Sequence, residues 1–168
     1  LVEAKLERDG LVLWTDGSRK EDESVGCAVV WEEEGRWKER RTHRGRQKEA
    51  FDAEMYAMSE AMKIADEMAE EKEVTRITVF TDSQATLKRI QSDEPGPGQV
   101  LALRTMNWAD ALARKNIQVE YRWVPAHKGI EGNEEADQQA TKAAYKYCGS
   151  NTETQNPLPF PHYCYGGS

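Results

Sequence analysis

After residue 50 the spacing of apolar residues in this chain changes period, and that change limits the possible folds more than any other feature. Before it, apolar residues come in short runs: Leu11–Thr15, Val25–Trp31 and the more polar Arg36–His43. Gly17-Ser18 with the charged stretch Arg19–Ser24 reads as one turn between them, and Gly35 closes another. Runs of this length with such short connections predict an antiparallel meander of three strands. From about Asp52 to Glu71 the period is helical, with Phe51, Met55, Met58, Met62, Ala65 and Met68 on one stripe. Strand and helix then alternate. Arg76–Thr81 is apolar enough for a central strand, and Asp82 or Ser83 can cap a helix through Ala85, Leu87 and Ile90. Pro95-Gly96-Pro97-Gly98 breaks the chain before a helix from Gln99 to Lys115, which carries Leu101, Leu103, Met106, Trp108, Ala109 and Leu112. Ile117–Val124 alternates as a strand, Pro125–Gly132 reads as a loop, and Asn133 to about Tyr145 forms the last helix. The expected fold class is α/β: a five-stranded mixed sheet, made of a three-strand antiparallel meander plus two parallel strands, flanked by helices.

The length, 168 residues, suffices for one domain with a real core. We expect that domain over residues 1–147. Residues 148–168 read as a flexible tail or linker, because Asn156-Pro157-Leu158-Pro159-Phe160-Pro161 resists regular structure. Leu1 in place of an initiator Met points to a piece of a longer chain. No apolar run is long enough to span a bilayer, and the start lacks the pattern of a signal peptide. Of the three cysteines, Cys27 lies in an apolar run and reads as a core residue. Cys148, His162 and Cys164 lack a fourth ligand and a zinc-like spacing, and read as ordinary residues. Nothing demands an oxidising compartment, so the expected location is intracellular, in cytoplasm or nucleus. The formal net charge of -7 opposes a broad phosphate-binding surface. The exception is the stretch holding Lys38, Arg40, Arg41, Arg44, Arg46 and Lys48, which reads equally well as a solvated edge strand.

Four acids stand where folding alone would not put them. Asp16 and Asp82 each end an apolar run, and Glu54 and Asp137 fall on the inner stripes of helices. Each has an ordinary explanation: a turn residue for Asp16, a cap for Asp82, a solvent-facing position for the other two if the helical phase is off by one residue. Together those explanations require four coincidences. Buried carboxylates need a positive partner, and oxygen-only ligands favour Mg²⁺, with Mn²⁺ as a substitute. If the strands ending at Asp16 and Asp82 are parallel neighbours, both acids reach one crevice at their carboxyl ends. Two ions about 4 Å apart there suit in-line displacement at phosphorus.

The motifs Trp14-Thr15-Asp16-Gly17-Ser18, Ala53-Glu54-Met55-Tyr56-Ala57 and Thr81-Asp82-Ser83-Gln84 occur in order. They are followed by Val124-Pro125-Ala126-His127-Lys128-Gly129, running on to Gly132-Asn133-Glu134-Glu135-Ala136-Asp137. This ordered set, within Leu11 to Tyr145, resembles the type 1 ribonuclease H family. In style it is most similar to ribonuclease H domains of retrotransposon polyproteins, particularly fungal LINE-type elements. The resemblance implies a ribonuclease H-like fold and an endonuclease that hydrolyses the RNA strand of RNA–DNA hybrids by a two-metal-ion mechanism, leaving 5′-phosphate and 3′-hydroxyl ends. It implies catalytic and metal-binding roles for Asp16, Glu54, Asp82 and Asp137, with Asp16 shared between two Mg²⁺ ions, Glu54 and Asp82 on one and Asp137 on the other. His127 would assist proton transfer or product release. Gly17, Ser18 and Gln84 would meet the hybrid in its minor groove, where 2′-hydroxyls mark RNA.

Two departures bear on the substrate. Cellular members often carry a basic, Trp-containing protrusion where this chain has the short, acidic Ser92–Gln99, so phosphate contacts should be fewer. A linked reverse transcriptase domain would compensate. Ala50, Phe51 and Asp52 match the family's polar residues poorly. The competing expectations are another nuclease of the same broad fold, of transposase, integrase or resolvase type, and an inactive hybrid-binding or connecting module of a polyprotein. No membrane partner is expected.

Overall fold

The computed structural model describes residues 10–46 and 49–145. The tail 148–168, with Cys148, His162 and Cys164, and the basic Lys48 lie outside the described residues. In chain order the elements are β1 (Leu11–Arg19), β2 (Ser24–Glu33), β3 (Arg36–Arg46), α1 (Ala50–Lys72), β4 (Arg76–Thr81), α2 (Gln84–Ile90), α3 (Gln99–Arg114), β5 (Gln118–Trp123) and α4 (Glu131–Ala144). The sheet runs β3-β2-β1-β4-β5. The β1–β2 and β2–β3 pairs are antiparallel, and the β1–β4 and β4–β5 pairs parallel, as expected from the sequence.

Alternation along the central strands builds two apolar layers. Leu11 and Leu13 of β1 and Ile77 and Val79 of β4 point into the larger one, against Met55, Met58, Met62 and Ile64 of α1 and Ala102 and Leu112 of α3. Trp14 and Phe80 point the other way, stacked at 4.2 Å, and meet Val30, Val124 and Ala136 of α4. The sheet is therefore covered on both sides, and the polar groups of β1 and β4 can reach solvent only at the strand ends.

Several local expectations are corrected. Gly17-Ser18 is not a turn: β1 continues to Arg19 because β2 offers it partners, with Gly17 opposite Cys27 and Ser18 opposite Gly26. The last helix starts at Glu131, inside the segment read as loop. Leu103 does not belong to the buried stripe of α3 and is 47% exposed; Ala102 and Thr105 occupy that face. Cys27 is buried and free, as expected. The basic stretch lies on the edge strand β3 and is partly neutralised at home. Arg40 pairs with Glu67 at 3.1 Å, Arg46 with Asp22 at 3.6 Å, and Arg44 stacks over the Tyr56 ring at 3.8 Å. Among the described residues no helix is long and apolar enough to cross a membrane.

Candidate metal centre

The parallel register of β1 and β4 brings the first two acids together. Its last pair is Thr15 with Thr81, so Asp16 and Asp82 are the next residues on neighbouring strands. The Thr15 hydroxyl donates to the Phe80 carbonyl at 3.0 Å and ties the strands just before they part. Asp82 is not the helix cap. Ser83 fills that position, its hydroxyl oxygen accepting from the Thr86 backbone N–H at 3.2 Å. The Asp82 side chain is thereby left for another task.

Glu54 arrives from α1, which approaches β1 very closely at Gly17. A Cβ there would lie 2.8 Å from both the Ala53 Cβ and the Glu54 backbone nitrogen, so only glycine permits the contact. Asp16, Glu54 and Asp82 can each place an oxygen within 4.8 Å of the other two. Asp16 is only 4% exposed. Burial, then the charges of Glu54 and Asp82, push its carboxyl up from 3.8 to about 10. Burial likewise raises Glu54 to about 7, with partial relief from its hydrogen bonds to Asp16 and Gly17. Oε2 of Glu54 is shut off from solvent with no hydrogen-bond partner. Three oxygen donors, repelling one another and one of them orphaned, fit a hard divalent cation.

The fourth expected acid stands somewhat apart. Asp137 adds to the repulsion felt by both Asp16 and Glu54, but its tight cluster is with His127 and Glu134. That second cluster stands on α4 and the turn before it. His127 is exposed and holds a left-handed backbone, φ 53°, which a non-glycine residue adopts at some cost. The turn is clasped by Glu134, whose Oε1 accepts from the Gly129 N–H at 3.3 Å. Gly132 lets α4 settle onto the indole of Trp14, where a Cβ would lie 2.1 Å from the ring. Ser18 is half-buried on β1, and Gln84 is exposed at the start of α2. Both lie in segments continuous with Asp16 and Asp82.

Three nearby groups escaped the sequence reading. Glu134 and Asn133 precede Asp137 by three and four residues, a spacing that shares one helix face and was available as a signal. The Asn133 amide donates to Oδ2 of Asp82 at 3.2 Å. Trp123, at the end of β5, donates from Nε1 to the Asp82 carbonyl at 3.1 Å; nothing in its sequence context marked it.

A mixed sheet covered on both faces, with acids gathered where its central parallel strands end, defines an α/β protein of the kind that binds ligands in the crevice beyond those ends. The profile of the RNase H family matches residues 8–145, and the chain belongs to that family. It is 28% identical over 151 residues to a ribonuclease H of Chromobacterium violaceum, covering 80% of this chain and 94% of that protein. Among solved structures it is similar to a ribonuclease H1 isolated from compost, with a TM-score of 0.61 at 19% identity, covering 81% of this chain and 96% of the other. A second is the N-terminal ribonuclease H domain of a Mycobacterium tuberculosis protein, with a TM-score of 0.58 at 21% identity, covering 80% and 92%. A third, from Halobacterium salinarum, gives 0.56 at 21% identity, covering 79% and 96%. At these identities the structural likeness speaks for the fold.

Proposed function

We propose that this chain is a divalent-metal-dependent endonuclease that hydrolyses the RNA strand of RNA–DNA hybrids, leaving 5′-phosphate and 3′-hydroxyl ends. The observation that carries the reading is the meeting of Asp16, Glu54 and Asp82 within 4.8 Å in a chain of the RNase H family. Asp16, Glu54, Asp82 and Asp137 would hold two Mg²⁺ ions, or Mn²⁺ in their place. The chemistry such ions supply is neutralisation of the phosphate and activation of a water. The chain's own part is preorganisation. Two strand ends and a glycine-mediated helix contact bring three carboxylates together before substrate arrives, and charges gathered in advance need less reorganisation during the reaction. His127, exposed on its strained turn, would pass a proton to the departing 3′-oxygen or assist product release. Gly17, Ser18 and Gln84 would face the minor groove of the hybrid and distinguish RNA by its 2′-hydroxyls.

We further propose an intracellular retroelement setting, with a linked reverse transcriptase domain adding hybrid affinity. Its support is the acidic Ser92–Gln99 connection and the local pairing of the basic residues on β3. The deciding experiment compares cleavage of hybrid, duplex DNA and duplex RNA, with and without Mg²⁺ or Mn²⁺. Cleavage confined to hybrid and dependent on metal is expected. Metal-dependent cleavage of duplex DNA would assign the site to a transposase-like or resolvase-like enzyme. Hybrid binding without hydrolysis in either metal would make the chain a connecting module.

A further inference from the structure

We infer that Asn133 is a positioning residue for the acid set: its side-chain amide fixes Asp82 against α4, so that the acids of the sheet and those of the helix keep one spacing. The inference rests on the reading of these acids as a metal centre. Asn133 is 3% exposed in the first turn of α4. A buried amide without a partner is costly, and this one reaches out of its own helix to Oδ2 of Asp82 at 3.2 Å.

The placement of the elements explains why such a tie is needed. α4 packs mainly on β2, β1 and β3, whereas Asp82 stands at the end of β4. Packing on the meander sets the distance from α4 to Asp16 and leaves the direction of the Asp82 side chain open. The indole of Trp123 grips the Asp82 backbone carbonyl, which fixes the main chain and again not the carboxylate. Asn133 supplies the missing restraint, and four residues on, Asp137 stands on the same helix face. The close seat of Gly132 on Trp14 brings the helix near enough for the amide to reach. An amide suits the position chemically, because it donates to the carboxylate without adding a further negative charge.

Partners that orient a metal-binding carboxylate typically change metal affinity about 10–100-fold when removed. The experiment is a Mg²⁺ titration of the wild-type chain, Asn133→Ala and Asn133→Ser, read by the shift in thermal midpoint and by calorimetry. The Mg²⁺ dependence of hybrid cleavage is measured alongside. Both variants should fold and need about 10–100-fold more Mg²⁺ for the half-maximal thermal shift, with KM for hybrid at saturating Mg²⁺ within about 3-fold of wild type. A folded variant with the wild-type Mg²⁺ midpoint would overturn the inference, and so would failure of both variants to fold, which would mark the amide as structural. If the wild-type chain itself shows neither a Mg²⁺-induced shift nor cleavage, the metal-centre reading fails first; if it responds and the variants respond identically, only the role of Asn133 fails.

Discussion

Replacing Asp16 with Asn removes one negative charge from a crowded, buried place and barely changes its shape. In the metal-free protein the Asp16 carboxyl is raised from 3.8 to about 10, by burial first and then by Glu54 and Asp82. The folded chain therefore keeps this proton at neutral pH, while the unfolded chain releases it above about pH 4. A group whose pKa is raised by folding favours the folded state below the unfolded value, and that contribution drains away as pH climbs towards the folded value. Each pH unit above 3.8 costs about 1.4 kcal/mol, which sets a ceiling of about 4 kcal/mol at pH 7. Proton sharing with Glu54, itself raised to about 7, spreads the cost over the pair, so a gain of about 1–3 kcal/mol for Asp16→Asn is expected in EDTA. For a chain of this size that is a midpoint higher by roughly 3–10 °C. Asn also keeps an N–H donor for Glu54.

The assay is thermal unfolding of both proteins by circular dichroism from pH 4 to pH 9, first in EDTA and then in Mg²⁺. The gap should be near zero at pH 4, widen as pH rises, and shrink when Mg²⁺ stabilises the wild-type chain more than the variant. Hybrid cleavage should be lost in the variant throughout. A variant no more stable than wild type at pH 7–9 in EDTA, or a gap that does not grow with pH, would refute the electrostatic account of the site. Full cleavage by a folded variant would refute the proposed chemistry.

Three further outcomes are expected. His127→Ala should lower kcat by about 100-fold and shift stability by less than about 0.5 kcal/mol, because the side chain is exposed; unchanged kcat would remove His127 from the mechanism. Gly132→Ala should destabilise by about 1–3 kcal/mol in a urea titration, since its Cβ would lie 2.1 Å from the Trp14 ring; an unaltered midpoint would mean that α4 does not sit on the indole. Cys27 should resist alkylation in the folded chain and react on unfolding, because burial pushes its thiol far above the usual range; rapid labelling under native conditions would contradict its burial.

Much of the fold was legible because hydrophobic period maps directly onto elements. The sequence places the strand Arg76–Thr81 at its observed bounds, since it is short, apolar and rich in β-branched and aromatic residues. The misses came from partners distant in sequence. Gly17-Ser18 carries turn chemistry, yet Cys27 and Gly26 across the sheet hold it in a strand, and the neighbouring α1 requires the glycine for a different reason. The start of α4 looked like loop because Gly132 disfavours helix locally, whereas the glycine is what allows the helix to rest on Trp14. Leu103 fitted the apolar content of α3 and still faces outward, because Ala102 and Thr105 occupy the stripe that meets α1.

The acids themselves were legible for a different reason: they violate the rule that charges stay out of cores, and a violation shows without any structure. Residues that obey every local rule stay hidden. An Asn and a Glu in the first turn of a helix are ordinary N-terminal composition, so only their spacing from Asp137 hints at Asn133 and Glu134; in the structure one faces Asp82 and the other stands beside His127 and Asp137. The same reasoning explains why Asp82 stayed ambiguous. Its position before α2 suits a cap as well as a ligand, and only the Ser83 hydroxyl on the Thr86 N–H settles which residue caps the helix. A sequence thus exposes the groups that a site strains against folding, while the groups that aim them blend into the secondary structure that carries them.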